Sequence, residues 1–308
     1  MSCLFGPVPS RRLGISLGVD IVPSKFCSYD CIYCQLGRTT NNTISRDEYV
    51  SYAAVCQDIE EYFSMNGPAV DHITFSGSGE PTSNSKIGHI ITKIKEFTKI
   101  PVAVLTNGSL LSQAEVQENL MAADIVLPSL DAATPRVFDV VNRPHRSIKI
   151  SEVISGLVSF KKFFEGETWL EVLLCRGIND DKEELKMIGR AINEIKPNKV
   201  HLNTVVRPSC SGLAYPLSRE QLKEAQRILG KNTEIIGDFT EPAFHDNHQN
   251  MEEKILDLLR RRPSTGTELS DVLGTHPNEI SKCIDDLINL KKVSFVVHRN
   301  NVYYQSSE

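Results

Sequence analysis

The sequence has no run of about 18 apolar residues, so nothing in it reads as a membrane span. Its first residues, MSCLFGPVPSRRLG, place two prolines and an arginine pair where a secretory leader needs a long apolar stretch, so a cytoplasmic protein is expected. There is no excess of positive charge. The 34 Lys and Arg against 39 Asp and Glu leave a formal net charge of -5, which excludes a general attraction to nucleic acid or anionic membrane. Cysteine pairs are missing too. Five of the eight cysteines (Cys3, Cys56, Cys175, Cys210 and Cys283) are scattered singly, which is no disulfide framework. Cys56, Cys175 and Cys283 read as small buried hydrophobes, and Cys3 and Cys210 fall in loop-like segments. The most telling absence is a fourth neighbour: Cys27, Cys31 and Cys34 fall within eight residues, and the next cysteine is Cys56.

What is present is ordinary in composition, with 40% hydrophobic and 24% charged residues over 308 positions, enough for one large domain and a small one. From Gly18 to about Arg207, short apolar runs alternate with helix-period segments. The runs at 17–23, 71–77, 101–108, 123–131, 169–177 and 199–206 are rich in Val, Ile and Leu, and several lack alternation. That suits parallel strands buried on both faces. Ser45 with Glu48, Ser112 with Glu115, and Ser218 with Gln221 have capping-box spacing, and Gly230 suits a helix end. Acidic residues at 180–184 suit a helix start, and Ile150, Val153, Ile154, Leu157 and Phe160 share a helix face. Six β-α repeats imply an α/β fold, a partial (β/α)6 TIM-like barrel over residues 1–240 with its chemistry at the C-terminal strand ends. The cysteines lie just past the first such end.

Residues 241–250 are polar and aperiodic and read as a linker that few contacts cross. Residues 251–308 read as helices over 251–262, 267–273 and 277–291, then a hairpin of 293–298 and 302–305, the pattern of a small winged helix-turn-helix domain. It carries eight Lys and Arg against nine Asp and Glu, and its candidate recognition helix is mainly acidic. Duplex DNA is therefore not an expected partner, and a redox-sensing DNA regulator is the weaker alternative. The edge strand at 301–305 offers a place for a peptide to add a strand.

Thiolates at this spacing hold an iron–sulfur cluster or zinc. Zinc would need a distant fourth ligand such as Cys3 or Cys56. Three ligands on a four-iron cluster leave one iron open to a substrate or cosubstrate.

The spacing CxxxCxxC, with the aromatic Tyr33 before the last cysteine, resembles the signature of the radical SAM superfamily. SGSGEPT at 76–82 resembles that superfamily's GGEP element, with its first glycine displaced. The resemblance implies one oxygen-sensitive 4Fe-4S cluster on Cys27, Cys31 and Cys34. It also implies S-adenosylmethionine (SAM) bound at the open iron and cleaved reductively to a 5′-deoxyadenosyl radical, with electrons from a flavodoxin- or ferredoxin-type donor. The SAM-binding residues it implies are Tyr33, Gly77, Gly79, Glu80, Asn107, Ser129, Asp131, Asn179 and Asn203. GPVPSRRLG, NRPH at 142–145, GIND and LNTVVRP together resemble one family of that superfamily, grouped with the wyosine tRNA synthetases and the MoaA-like and NifB-like enzymes. That grouping makes tRNA the first candidate substrate and a peptide or protein the second. Arg11, Arg12, Arg143, His145, Arg146, Lys149 and Arg207 suggest either an anionic substrate group or salt bridges on the barrel rim, and Arg176 closes the fifth strand.

Overall fold

A computed structural model describes residues 3–64, 70–206, 213–236, 251–273, 275, 277–299 and 301–307. Arg207, Cys210 and the linker at 241–250 lie outside the described residues. The chain opens with an antiparallel pair, β1 (Leu4–Ser10) and β2 (Gly14–Val19). Two short strands, β3 (Phe26–Cys27) and β4 (Asn41–Asn42), pair across the cysteine loop, and helix α1 (Tyr52–Ser64) follows. Strands and helices then alternate: β5 (His72–Phe75), α2 (Ile87–Phe97), β6 (Val102–Thr106), α3 (Ala114–Leu120), β7 (Ile125–Pro128), α4 (Pro135–Val141), α5 (Ile150–Phe163), β8 (Glu167–Leu174), α6 (Lys182–Ile195), β9 (Lys199–Thr204), α7 (Arg219–Leu229) and β10 (Thr233–Ile235).

The sheet runs β1-β2-β5-β6-β7-β8-β9-β10, and every pairing from β2 to β10 is parallel. The six expected strands form its centre. Two more extend it: β1, antiparallel at one edge, and β10, whose three residues carry little sequence signal. The strands also alternate after all. Val102, Val104, Val126, Leu170, Val172, Val200 and Leu202 face the helices in the main core. Ala103, Ile125, Leu127 and Trp169 face inward and close on Leu13. Both sets are apolar, which hides the period of two. Two residues further along the same inner rows stand Glu171 and Asn203, so the interior turns from an apolar floor to a polar layer toward the C-terminal strand ends.

Helix caps agree in part with expectation. Ser218 and Gln221 form the capping box of α7, which ends at Gly230, and the Asp181 carboxylate caps α6. The other two boxes do not form. Glu48 accepts instead from the Tyr52 amide (2.6 Å) and Ser51 from that of Ala54, so α1 starts later. Arg46 is drawn away to the Thr82 carbonyl and Glu115. That ion pair occupies Glu115, and α3 starts from Gln113.

The C-terminal unit is α8 (Met251–Arg261), α9 (Gly266–Leu273), α10 (Pro277–Asn289) and the antiparallel pair β11 (Val293–His298) and β12 (Asn301–Ser306). Its core gathers Ile255, Leu259, Leu269, Ile280, Ile284 and Leu287, and it includes Val8 of β1 with Phe5 packed against it. The Arg261 guanidinium lies 4.6 Å from the centre of the Phe5 ring. The Tyr303 hydroxyl donates to the Val206 carbonyl and Arg299 to that of Leu217. The expected scarcity of contacts between the two units is therefore overturned: β1 belongs to both. The edge of β12 is not free either, because Ser264 and Tyr304 exchange both backbone hydrogen bonds there.

Candidate functional site

The cysteine loop has little regular structure, so its backbone groups bond to distant segments. On one side Lys25 donates to the Ser78 carbonyl (2.7 Å) and Glu80 to that of Phe26 (3.0 Å). On the other, Asp30 donates to Asn142 (3.0 Å), Ile32 to Val141 (3.0 Å), and His145 to Ser28 (2.8 Å). The segments GSGEP and NRPH are thus the two walls that hold the cysteines. Gly79 is required by the first wall, since a Cβ there would lie 2.1 Å from the Phe26 carbonyl oxygen. Gly77 has φ of +142°, and a Cβ would meet the Asp20 carboxylate at 2.4 Å. That carboxylate accepts from both the amide and hydroxyl of Ser78, at 3.0 and 2.6 Å. Both glycines therefore serve close approach within the protein.

Each of two sulfurs receives an amide donor. Asn107 Nδ2 lies 3.5 Å from Cys27 Sγ, and Asn142 Nδ2 lies 3.5 Å from Cys31 Sγ. A buried carboxylate stands behind each amide. Glu80 Oε2 accepts from the Asn107 backbone N–H at 2.7 Å, while Oε1 accepts from Thr82 and Thr106. Asp131 Oδ2 accepts from Asn142 Nδ2 (2.9 Å) and the Tyr33 hydroxyl (2.5 Å), and Oδ1 from the Leu173 amide (2.9 Å). Burial pushes both carboxyls above their usual range, against these hydrogen bonds. Burial likewise pushes the Cys27 thiol up to about 12, with the charges of Glu80 and Cys34 adding, and raises Cys31, with Cys27 and Asp131 adding.

These observations test which group fits. Buried thiols beside carboxylates ionise only when positive charge is brought to the sulfurs, and the two amides are aimed at sulfur lone pairs that would then be anionic. Zinc would need a fourth protein ligand beside these three, whereas an iron–sulfur cluster offers each thiolate its own iron. Cys3 donates its thiol to Asp58 at 3.0 Å, and Cys56 is buried on α1. The residues fit a cluster on Cys27, Cys31 and Cys34.

Several residues expected to touch a cofactor also bond within the protein. Asn179 is fully buried and spends its amide on the Cys175 N–H and the Asp131 and Leu173 carbonyls. Glu80 and Asp131 are buried supports. Asn203 accepts from Arg11 (3.2 Å) and donates to Glu171 (3.2 Å). Glu171 also pairs with Arg12. Arg176 lies against the Tyr215 ring. Asn107 and Ser129 remain half-buried at the strand ends, and Tyr33 is half-buried in the cysteine loop. Of the basic residues, Arg11 and Arg12 meet in the barrel interior, while Arg143 reaches Asp30 at 4.0 Å and His145 bonds with Ser147.

Four contributors escaped the sequence reading. Asn142 sat unremarked inside NRPH. Asp20 and Glu171 are lone acids within apolar strand runs, a signal that was readable, because a buried carboxylate needs partners. Arg261, 3.8 Å from Asp20, comes from the other unit. A cavity of about 530 Å³ lies between the barrel and the C-terminal unit, and Gln35 and Gly77 put it beside the cysteine loop.

A model of the Radical SAM superfamily matches residues 21–187. The chain is 31% identical to the UPF0026 protein of Methanocaldococcus jannaschii, across 100% of this chain and 97% of that one. It is 38% identical to a protein of Brachyspira hyodysenteriae named GTPase Obg, across 94% of this chain but only 43% of that longer protein. Among solved structures, a radical SAM methyltransferase from Sphaerobacter thermophilus shares the fold, with a TM-score of 0.55 and 17% identity over 71% of this chain and 65% of that one.

Proposed function

The chain belongs to the radical SAM superfamily, and on that premise we propose that Cys27, Cys31 and Cys34 hold its cluster at the foot of the cavity. It is an enzyme of that class, and its cofactors are a 4Fe-4S cluster and S-adenosylmethionine. When bound, the pair supplies reductive cleavage of the SAM C–S bond to methionine and a 5′-deoxyadenosyl radical, which abstracts a substrate hydrogen atom. The observation that carries the site assignment is the pair of amides on Cys27 and Cys31, each backed by a buried carboxylate. Hydrogen bonds to thiolates stabilise their negative charge and adjust the reduction potential. Glu80 and Asp131 fix where those amides point. Asn107 and Ser129, at the ends of β6 and β7, are the proposed polar contacts for SAM, with the backbone of 76–79 beside them.

An external flavodoxin- or ferredoxin-type donor would supply the electron. Among the described residues no helix is long and apolar enough to cross a membrane. We read the C-terminal unit as a winged helix, with its first two helices, α8 and α9, against β1. A peptide adding to β12 is disfavoured by Ser264 on that edge, and a tRNA substrate finds no basic reading helix. The substrate reading therefore rests on the cavity.

The test is made on anaerobically reconstituted protein. About four iron and four sulfide per chain and slow release of 5′-deoxyadenosine with dithionite and SAM are expected. Cys27→Ala, Cys31→Ala or Cys34→Ala should abolish that release, and Cys283→Ala, on α10, should not. Stoichiometric zinc without labile sulfide would refute the assignment.

A further inference from the structure

We propose that the cavity between barrel and C-terminal unit is a chamber for a small substrate carrying a phosphate or carboxylate group, with part of its anion site supplied by the C-terminal unit. This deepens the reading above and rests on it. The chamber walls carry five arginines, Arg11 and Arg12 from the β1–β2 turn and Arg261, Arg262 and Arg299 from the C-terminal unit, against one carboxylate, Glu268. Behind the wall Arg12 pairs with Glu171 and Arg261 with Asp20. Arg11 donates to the neutral Asn203 amide, and Arg299 to the Leu217 carbonyl. Among the described lining residues arginine thus outnumbers carboxylate five to one, within an overall acidic protein.

Two further observations point the same way. The Nε–H group of Arg12 is buried without a hydrogen-bond acceptor, so the protein leaves part of its bonding capacity unused. Burial and the neighbouring Arg11 push the Arg12 guanidinium down to about 10, a cost that an anion in the chamber would relieve. Planar guanidinium groups bind phosphate and carboxylate through paired hydrogen bonds. A volume of about 530 Å³ holds a small molecule and not a folded macromolecule.

Arg261 also links roof to floor. It faces Asp20, and Asp20 holds Ser78 in the segment beside the cysteine loop. Removing the C-terminal unit would therefore open the chamber and loosen the segment next to the cluster.

The test titrates anaerobically reconstituted full-length protein, shown first to contain its cluster, by calorimetry with inorganic pyrophosphate and with citrate at constant ionic strength. Saturable one-site binding of at least one is expected. It should weaken about tenfold or more in Arg299→Gln and in Arg11→Gln, and stay unchanged in Arg227→Gln, on α7 away from the chamber. Arg299 sits at an exposed hairpin turn, so its variant serves if Arg11→Gln misfolds. Pyrophosphate alone would indicate a phosphate-bearing substrate, and citrate alone a carboxylate-bearing one. No saturable binding, or binding that survives both variants, overturns the proposal. So does bulk tRNA that binds, loses binding in these variants, and finds no small anion competing. Protein lacking a cluster would instead count against the superfamily site.

Discussion

The cysteine loop and the C-terminal unit are opposite solutions to holding a segment in place. The C-terminal unit is almost entirely regular, and its helices bury their own apolar faces against one another. The cysteine loop has only the two-residue strand Phe26–Cys27, and its shape comes from backbone bonds to Ser78, Val141 and Asn142, residues far away in sequence. A periodic apolar face can be read from any stretch that carries it. A loop fixed by borrowed hydrogen bonds can be recognised only by the chemistry of its side chains. Yet the regular unit is the less independent one, because Val8 of the barrel completes its core.

Cutting the chain after Asn250 probes that dependence most strongly. It exposes Val8 and Phe5 and leaves Asp20 without Arg261. Burial alone already raises the Asp20 carboxyl, with Ser78 and Arg261 opposing. Loss of Val8 burial costs about 2 kcal/mol, and the unpaired carboxylate adds to it. The truncated protein is expected to aggregate or to melt at least about 5 °C lower, a shift that a loss of this size produces in a domain of this size. A truncation that stays monomeric with an unchanged melting temperature would show the two units to be independent.

A smaller effect is expected where the loop is held by single side chains. Asn142→Ala removes the amide from Cys31 and one of two side-chain donors from Asp131. The three thiolates remain, so the cluster should assemble, but its reduction potential should become more negative and 5′-deoxyadenosine release slower. An anaerobic titration followed by electron paramagnetic resonance measures the shift. Asn107→Ala should act in the same direction through Cys27. A potential unchanged in both variants would mean that the amides only fill space.

The smallest effect concerns the barrel floor. Burial, with Arg12 and Lys199 nearby, pushes the His201 imidazole down to about 4. The unfolded chain protonates this group near pH 6.5 and the folded chain does not. The unfolded state therefore binds more protons across that window, and stability falls as pH drops from about 7 toward 4. His201→Gln should remove that part of the acid sensitivity, about 2 kcal/mol between pH 7 and 5. Urea midpoints at the two pH values measure it, and an identical slope in the variant would show that His201 does not titrate this way.

The six central strands, the α7 capping box and the hairpin at 293–306 were readable because local periodicity and turn chemistry specify them. The strand β10 was not, being three residues long, and the inner-face alternation was hidden because Ala103, Ile125, Leu127 and Trp169 are as apolar as their outward neighbours. The three cysteines stood out because their spacing is a matter of side-chain chemistry within eight residues and not of the fold.

What the sequence alone determined is the chemistry: three thiolates at a fixed spacing, a glycine-rich turn after the next strand, and the alternation of strand and helix that carries both to one end of a sheet. What only the tertiary structure decided is who does what around them. Glu80, Asp131, Asn179 and Asn203 have side chains suited to a ligand, but each spends its hydrogen bonds inside the protein. Arg261 and Arg299 come from a separate unit, yet they line the chamber with Arg11. Side-chain identity sets what a residue is able to bind. Which partner it meets is set by packing, through contacts between separate segments of the chain that leave no local trace.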